Sequence, residues 1–330
     1  MNDETRPSIK YSIVIPAYNE ADNIRRLLQS IEKAKGQRCD TEVILVDDDS
    51  TDNTRAIAIE MGAEIIDAGQ VNISMIRNLG AMQAKGEILL FVDADMKVPE
   101  NWFQLIAEYF DGEQVDVLGF VEKIPEEAPW FARIWSLRIA ARRSKAMQVD
   151  FLSGRNIGVR KIFFDKVQGF DARLTTGEDK DFVMRLKAAG AKVWSIPGQE
   201  MYHWGYERSL GELLRKEFWR QSSHVDLLKK QGVSMRLLRF PAISVLHYLF
   251  ALWCLLSLLA GDSFQTLVVA TLWATPSLLL TLIKPLSRSS ITAIVQFSFL
   301  YWLRFHVAGA SVLYSSYLML KNGDQMETKS

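Results

Sequence analysis

Two aspartates separated by one alanine follow an apolar run in the stretch FVDADM, Phe91 to Met96. In an extended segment the side chains of Asp93 and Asp95 point to the same side, so both carboxylates can reach one ligand. Paired carboxylates after a buried strand either cap the next helix or bind a cation. Oxygen ligands of this kind suit Mg2+ or Mn2+, which keep further positions for water and phosphate oxygens. The short motif alone leaves both interpretations open.

The elements around this motif alternate between strands and helices. Short apolar runs predict buried strands at Tyr11–Pro16, Glu42–Val46, Glu64–Ile66 and Glu87–Val92. Buried strands spaced by helices predict an α/β fold with a doubly wound, mostly parallel sheet. Ligands bind beyond the carboxyl ends of the strands in such sheets. The acidic run Asp47–Asp52 and the Asp93–Asp95 pair are therefore expected at one binding edge.

The C-terminal third of the chain is much more apolar than the rest. Pro241–Ala260 and Phe264–Ile283 contain no charged side chain, and each has about the 20 residues that cross a bilayer. A third stretch, Ile291–Leu320, contains Arg304 and His306. A charge near the middle of a span is costly without a partner. The sequence predicts two membrane helices and a third membrane-embedded helix.

Composition and charge suggest the domain limits. The 330-residue chain is 48% hydrophobic with a formal net charge of zero, which suits a globular part with an apolar appendage. Lysine and arginine cluster before the first span, and Lys284 and Arg288 follow the second. The positive-inside rule therefore puts the large N-terminal part in the cytosol. We expect a polar tail at 1–10, a globular domain at 11–204, a basic interface segment at 205–240, a membrane region at 241–320 and a polar tail at 321–330.

Five motifs occur in a fixed order. They are Val14–Glu20 (VIPAYNE), Val46–Asp52 (VDDDSTD), Arg77–Ala81 (RNLGA), Asp93–Asp95 (DAD) and Gly177–Asp181 (GEDKD). Together they resemble the signatures of family 2 glycosyltransferases with the GT-A fold, over Ser12–His203. The chain departs from the family pattern at Asp49, where glycine is commonest. The C-terminal spans resemble membrane-attached members that build exopolysaccharides or lipid-linked glycans, which implies a multi-pass protein of the cell (inner) membrane.

The resemblance implies a site for a nucleotide-sugar donor, with UDP the commonest nucleotide. It implies Asp48, with Asp47 beside it, at the nucleotide base and Arg77 near the nucleotide. It also implies that Asp95, and more loosely Asp93, bring Mg2+ or Mn2+ to the diphosphate. Further donor-site positions implied by the family pattern are Pro16, Ala17, Tyr18, Glu20, Ala94, Gly154 and Asn156.

Three positions near these motifs have more ordinary interpretations as well. His203 either contacts the metal or the diphosphate, or is a structural histidine. Asp52 and Asn53 are expected to open a helix, because such residues favour helix N-termini.

The last motif concerns the acceptor. The resemblance implies inverting transfer with Asp179 as the general base and Glu178 orienting the acceptor or the base. Asp181 is expected to cap a helix at Phe182–Ala189. A sugar hydroxyl needs a base, whereas a polyprenyl phosphate is already anionic. The expected acceptor is therefore a hydroxyl on a lipid-linked glycan, with a polyprenyl-phosphate sugar transferase and a catalytically silent GT-A scaffold as alternatives.

Two stretches, 129–145 and 213–228, interleave aromatic and basic residues. Such a mixture suits the lipid headgroup region, although a helix packed on the sheet with a solvated basic face has the same pattern. The expected partners are membrane lipids, the donor, the glycan acceptor and other glycan-assembly proteins. Nucleic acid is not expected, because the adjacent spans place these basic residues beside lipid.

Overall fold

The computed structural model describes residues 9–112, 115–140, 145–197, 201–222, 235–283 and 290–327. The chain divides into two compact units, Met1–Glu126 with Arg143–Tyr206, and Glu127–Arg142 with Glu207–Ser330. The segment 11–204, predicted as one globular domain, is thus interrupted by a stretch that belongs to the second unit. Lys284 and Arg288, residues 141–144 and residues 223–234 lie outside the described residues.

Within the described residues, the first unit contains ten strands. They are β1 (Tyr11–Ala17), β2 (Thr41–Asp47), β3 (Glu64–Asp67), β4 (Ile88–Val92), β5 (Met96–Lys97), β6 (Val117–Phe120), β7 (Met147–Gln148), β8 (Asn156–Arg160), β9 (Val193–Ile196) and β10 (Tyr202–His203). Eight of them form one sheet in the order β3-β2-β1-β4-β8-β6-β9-β7, and β5 pairs with β10. β1 to β4 pair in parallel, as do β6 and β9, while β8 runs antiparallel to β4 and β6. The predicted mostly parallel sheet is confirmed.

The helices lie on both faces of this sheet or in the second unit. The first unit has α1 (Ala21–Lys35), α2 (Thr54–Glu60), α3 (Ile73–Gln83), α4 (Trp102–Asp111), α6 (Lys161–Lys166) and α7 (Glu178–Ala188). The second has α5 (Trp130–Ala140), α8 (Leu210–Ser222), α9 (Met235–Leu259), α10 (Ser263–Leu282) and α11 (Ile291–Glu327).

The core of the first unit explains why the strands read as continuous apolar runs. Successive side chains of a strand point to opposite faces. Ile13 and Ile15 of β1 accordingly lie in one buried cluster and Val14 in the other. The predicted apolar stripe of α1 packs into the first cluster through Ile24 and Leu27, which are fully buried. Burial of each such side chain contributes about 1.5–3 kcal/mol.

The second unit contains three helices that are long and apolar enough to cross a membrane, within the described residues: Pro241–Leu259, Ser263–Leu282 and Ile291–Leu318. α9 begins at Met235, before the predicted span. α11 continues to Glu327, so that 321–327, predicted as a tail, is helical. Each added residue supplies one backbone hydrogen bond to an existing helix, which favours continuation beyond the apolar part.

Small residues set the contact between α9 and α11. A Cβ at Gly309 would lie 2.7 Å from ring carbons of Tyr248 and 2.8 Å from the carbonyl oxygen of Ser244. Close helix contacts through glycine are a common way to pack helices in lipid.

Arg304, the charge that interrupts the third apolar stretch, has a partner. Its Nε atom lies 2.5 Å from Oε1 of Glu217 in α8. The Glu217 side chain is 5% exposed, and the side-chain amide of Gln221 donates to the same oxygen at 2.6 Å. α11 therefore carries a partly buried arginine, for which α8 supplies a compensating carboxylate.

α5 also packs on α11. The ring of Trp135 lies 6.1 Å from that of Phe297 and 5.5 Å from that of Tyr301, between centroids. The guanidinium of Arg304 lies 5.4 Å from the Trp135 centroid. The aromatic residues of α5 that the sequence suggested for a lipid surface thus include one that packs against α11.

Replacing Glu217 with alanine should destabilise the second unit by up to about 3 kcal/mol, because the substitution removes this carboxylate from the partly buried Arg304. The melting temperature of the detergent-solubilised protein measures this loss. Glu212 and Lys216 form an exposed pair on the same helix, so Lys216→Ala is the matched control with an expected cost below about 1 kcal/mol. Equal melting temperatures for the two variants would contradict the structural role of the pair.

Candidate active site

Three neighbouring strands end beside each other in the first unit. Ala17, Asp47 and Val92 are the last residues of β1, β2 and β4, which are adjacent in the order β2-β1-β4. The loops that follow these strands contain the three acidic or polar motifs found in the sequence. The structure therefore places both acidic clusters at the edge where parallel sheets bind ligands.

The loops after β1 and β2 are tied together by hydrogen bonds. The Asn19 N–H donates to Oγ of Ser50 at 2.9 Å, and the Thr51 N–H donates to Oδ1 of Asn19 at 2.8 Å. Asp52 accepts from the N–H of Ala21 at 3.0 Å and of Thr54 at 2.9 Å. Asp52 thus holds the first residues of both α1 and α2, which extends its predicted helix-opening role.

Asp49 has a backbone φ of 67°. This left-handed conformation favours glycine and, among other residues, tolerates aspartate and asparagine. The departure from the family glycine therefore keeps the turn, and the Asp49 carboxylate accepts from the side-chain amide of Gln70 at 3.1 Å.

The two aspartates implied at the base lie in different environments. The side chain of Asp47 is 1% exposed, and its Oδ2 accepts from the Ser50 N–H at 3.2 Å. Asp48 is partly exposed, and its Oδ1 accepts from the N–H of Val71 at 2.9 Å. Asp48 is consequently the one of the pair with surface to offer a ligand.

The residues of the VIPAYNE motif also differ in their exposure to solvent. Pro16 and Ala17 are buried in β1, and Ala94 is buried between the two aspartates. Tyr18 is 58% exposed and Glu20 is partly buried.

His203 lies beside Asp95 because β10 pairs antiparallel with β5, His203 opposite Met96. The Nε2 atom of His203 is 3.4 Å from Oδ2 of Asp95. Burial by itself raises the pKa of Asp95, but the hydrogen bond and charge of His203, with the charge of Arg155, hold that pKa below its usual value. The other oxygen, Oδ1, is buried and has no hydrogen-bond partner among the described residues.

Arg77 connects the two acidic motifs of the site. Its Nη2 donates to Oδ1 of Asp93 at 3.1 Å and its Nη1 to Oε1 of Glu178 at 2.9 Å. A Cβ at Gly154 would lie 2.8 Å from Nη1 of this guanidinium, so the glycine allows the close approach. Burial raises the pKa of Asp93, which the positive charge of Arg77 opposes.

Asp179 lies in the first turn of α7. Gly177, with a φ of 76°, precedes the helix. Oδ2 of Asp179 accepts from the Gly154 N–H at 3.3 Å, and Oδ1 accepts from the Lys180 N–H at 2.7 Å. Burial, and next the negative charge of Glu178, raise the pKa of Asp179 to about 6, while Arg77 opposes them. A carboxyl with this pKa is well suited to accept a proton near neutral pH.

The prediction that Asp181 caps the helix is wrong. α7 begins at Glu178 rather than Phe182, because the left-handed Gly177 turns the chain into the helix earlier. Asp181 lies within the first turn, is fully buried, and accepts from Nε of Arg185 at 2.7 Å.

Asn156 is bound to strand β6. Its side chain accepts from the Phe120 N–H at 2.6 Å and donates to the Phe120 carbonyl at 3.0 Å and to Oε1 of Glu122 at 2.7 Å. These three hydrogen bonds use the side-chain amide of Asn156 within the protein. They give no support to the expectation that Asn156 binds the donor sugar. Glu122 and Arg155, which form an ion pair here, and the pair Trp204 and Gly205 were missed in the sequence analysis. The only signal in the sequence was that Arg155 adjoins Asn156 and Trp204 adjoins His203.

The chemistry of the residues fits a divalent cation whose other ligands come from substrate and water. Within the described part of the chain, no group of three or more His, Cys, Asp or Glu residues is arranged to hold a metal ion. Mg2+ and Mn2+ sites at phosphates often use only one or two carboxylates. The unpartnered Oδ1 of Asp95, with His203 beside the other oxygen, meets that requirement.

Replacing Gly205 with alanine should disturb the site more than the fold. A Cβ at Gly205 would overlap Oδ2 of Asp95 and lie 2.7 Å from Nε2 of His203. Rotation of the Asp95 carboxylate relieves the overlap, so we expect a melting temperature close to that of the wild type and roughly tenfold weaker Mn2+ binding. Spectroscopic titration with Mn2+ and thermal denaturation measure the two effects. Gly211→Ala is the control, because its Cβ would meet only the Ser209 hydroxyl oxygen at 3.9 Å.

Residues 12–168 match the model of glycosyl transferase family 2. The chain therefore contains a glycosyl transferase family 2 domain. Glycosyltransferase AglE of Haloferax volcanii is 26% identical to this chain over 233 residues, which cover 68% of the chain and 76% of AglE. An undecaprenyl-phosphate 4-deoxy-4-formamido-L-arabinose transferase of Proteus mirabilis is 34% identical over 159 residues, which cover 45% of the chain and 46% of that relative. This glycosyltransferase thus spans less than half of the second relative.

Two solved structures share the fold of this glycosyltransferase. The mannosyltransferase PcManGT of Pyrobaculum calidifontis, in complex with GDP-Man and Mn2+, superposes with a TM-score of 0.60 at 15% identity, over 95% of this chain and 88% of that one. Staphylococcus aureus TarS in complex with UDP-GlcNAc gives a TM-score of 0.52 at 19% identity, over 88% and 90% of the two chains. At these identities the likeness concerns the fold.

Proposed function

We propose that this glycosyltransferase moves a sugar, with inversion, from a nucleoside-diphosphate donor, a UDP-sugar, to a hydroxyl of a membrane-associated acceptor such as a lipid-linked glycan. The observation that carries the proposal is the Arg77 guanidinium, which joins Asp93 to Glu178. One buried side chain thereby holds the donor-side motif next to the motif that carries Asp179. TarS was solved with UDP-GlcNAc and the mannosyltransferase with GDP-Man, which supports a nucleoside-diphosphate sugar as the donor class.

In the proposed reaction each of these groups has one role. Asp179 accepts the proton of the acceptor hydroxyl, whose oxygen forms a bond to the anomeric carbon. The bond from that carbon to the diphosphate oxygen breaks, and the nucleoside diphosphate leaves with the electron pair. Attack from the face opposite the leaving group inverts the configuration. Asp48 would bind the base, and Glu178 would keep Arg77 and Asp179 in place.

Mg2+ or Mn2+ would be held by Asp95 and His203, with Asp93 nearby. When bound, such an ion supplies Lewis-acid stabilisation of the negative charge on the leaving diphosphate. The mannosyltransferase neighbour was solved with Mn2+, which supports a divalent cation for the shared fold.

The second unit is the proposed membrane anchor. α9, α10 and α11 are long and apolar enough to cross a bilayer, and Leu252, Leu255 and Leu259 of α9 are exposed, as a lipid-facing surface requires. The basic residues of 205–240 favour an orientation with the first unit in the cytosol. Membrane lipids and other glycan-assembly proteins are the proposed partners.

The specificity experiment uses the detergent-solubilised protein with a panel of UDP-, GDP- and dTDP-sugars, each with Mn2+, with Mg2+ and with EDTA. Metal-dependent hydrolysis of one donor supports the proposal and identifies the sugar. If nothing is hydrolysed, binding calorimetry separates an enzyme that waits for its acceptor from a silent GT-A scaffold. The absence of any nucleotide binding would overturn the proposal.

A polyprenyl-phosphate sugar transferase is the second candidate, because the Proteus mirabilis relative is an undecaprenyl-phosphate transferase. A phosphate acceptor is already anionic and needs no base. Transfer to undecaprenyl phosphate that survives Asp179→Asn would favour this candidate over the hydroxyl acceptor.

A further inference from the structure

Two guanidinium groups lie beside the Asp93–Asp95 pair, and their surroundings differ. Both Nη atoms of Arg77 are used by Asp93 and Glu178, and its side chain is 4% exposed. A side chain in that position holds the protein's own carboxylates and has little surface left for a ligand. In this structure Arg77 therefore links Asp93 to Glu178.

Arg155 is the more accessible of the two groups. Its Nε lies 2.8 Å from Oε2 of Glu122, and 27% of its side chain is exposed. Among the described residues its two Nη groups make no hydrogen bond. The charges of Asp93 and Asp95 act on this guanidinium, so it lies in the same part of the site as the two carboxylates.

The position of Arg155 is fixed at both ends. Its carbonyl oxygen accepts from the Asp93 N–H at 3.0 Å, which ties its backbone to the end of β4. Glu122 is itself held by the side-chain amide of Asn156 at 2.7 Å. Asn156 in turn is anchored to the Phe120 backbone in β6. The guanidinium is therefore preorganised rather than a mobile surface group.

We propose that Arg155 binds the diphosphate of the donor through its two free Nη groups, with Glu122 as its positioning residue. This inference rests on the proposed function, which supplies a nucleoside diphosphate beside Asp95. A planar guanidinium matches the spacing of two phosphate oxygens, and such charge-assisted pairs are stronger than neutral hydrogen bonds. The same contact stabilises the negative charge that develops on the diphosphate as the sugar leaves.

The test measures binding of UDP, GDP or dTDP, whichever the wild type binds, and of the matching nucleoside. Arg155→Met should weaken binding of the nucleoside diphosphate by about 10- to 100-fold, both in EDTA and with Mn2+, and leave the nucleoside unaffected. Arg155→Lys keeps the positive charge but lacks the planar pair of Nη groups, so it should lose less affinity for the nucleoside diphosphate. Glu122→Gln keeps an acceptor for Asn156 but loses the ion pair, so it should give a partial loss.

Arg25→Met is the matched control, because Arg25 forms an exposed pair with Glu60 on the same unit and should not change binding. Melting temperatures exclude misfolded variants. Equal affinity of wild type and Arg155→Met for the nucleoside diphosphate overturns the inference, as does a loss seen only with Mn2+ or shared by the nucleoside. Unchanged nucleotide affinity with a raised KM for a lipid-phosphate acceptor would assign the guanidinium to the acceptor instead. Failure of the wild type to bind any of the three nucleotides would instead remove the proposed function.

Discussion

Replacement of Asp179 by asparagine is expected to slow transfer to a hydroxyl acceptor by about 10²- to 10⁴-fold, the usual contribution of a general base. The amide has nearly the same shape and can still accept a backbone N–H, as Asp179 does from Gly154 and Lys180, but it cannot take the acceptor proton. Donor binding should be unchanged. Steady-state kinetics with a hydroxyl acceptor, beside calorimetry with the nucleotide, measure both parts.

The pH dependence of the transfer rate tests the same role of Asp179 in a second way. Burial and the charge of Glu178 raise the pKa of Asp179 to about 6, and the base is active only when deprotonated. The rate should therefore rise with pH through about 6 and level off above it. Glu178→Gln removes the neighbouring negative charge, so the rising limb should move to lower pH. A profile that is flat between pH 5 and pH 8, or an Asp179→Asn variant with wild-type rates, would rule out this base.

Asp95→Asn should have the second large effect. Oδ1 of Asp95 is buried without a hydrogen-bond partner in the part of the chain that the structure describes, and Asp95 lies beside His203. Its negative charge is therefore the main attraction for a divalent cation. We expect donor turnover to fall by about 100-fold or more, in line with the several kcal/mol that a metal ion contributes to charge stabilisation. Mn2+ titration followed by electron paramagnetic resonance should show a parallel loss of metal binding.

Asp49→Asn is the control for this substitution. Asp49 is exposed, and asparagine tolerates its left-handed backbone, so turnover and Mn2+ affinity should match those of the wild type. Equal loss in both variants would mean that overall negative charge matters, and wild-type turnover in EDTA would exclude a required cation.

The sequence was sufficient to predict the sheet and the edge that carries the motifs. Parallel strands end on the same side, so Asp47 and Asp93 could be placed together from the apolar runs that precede them. The length of the apolar runs near the C-terminus located the three long apolar helices. Both inferences depend on local pattern, which a single sequence contains.

Contacts between distant residues were beyond such reasoning. Arg77 and Glu178 are 101 positions apart, and nothing in RNLGA indicates that its arginine binds the carboxylate of a later motif. The Asp181 prediction was wrong because the helix start depends on the left-handed turn at Gly177. The sequence flagged Arg304 as costly without finding Glu217, since the partner lies on a separate amphipathic helix.

The Glu217–Arg304 pair affects the order in which the chain can fold and which helices can be transferred to another protein. The carboxylate lies 87 residues ahead of the arginine, and domains form in order as synthesis proceeds from the N-terminus. α8 is thus synthesised before α11, and Glu217 is already present when Arg304 is added to the chain. The unit proposed as the membrane anchor is accordingly α8 to α11 rather than the apolar helices alone. A chimera that joins only α9 to α11 to another soluble enzyme would contain Arg304 without its partner Glu217.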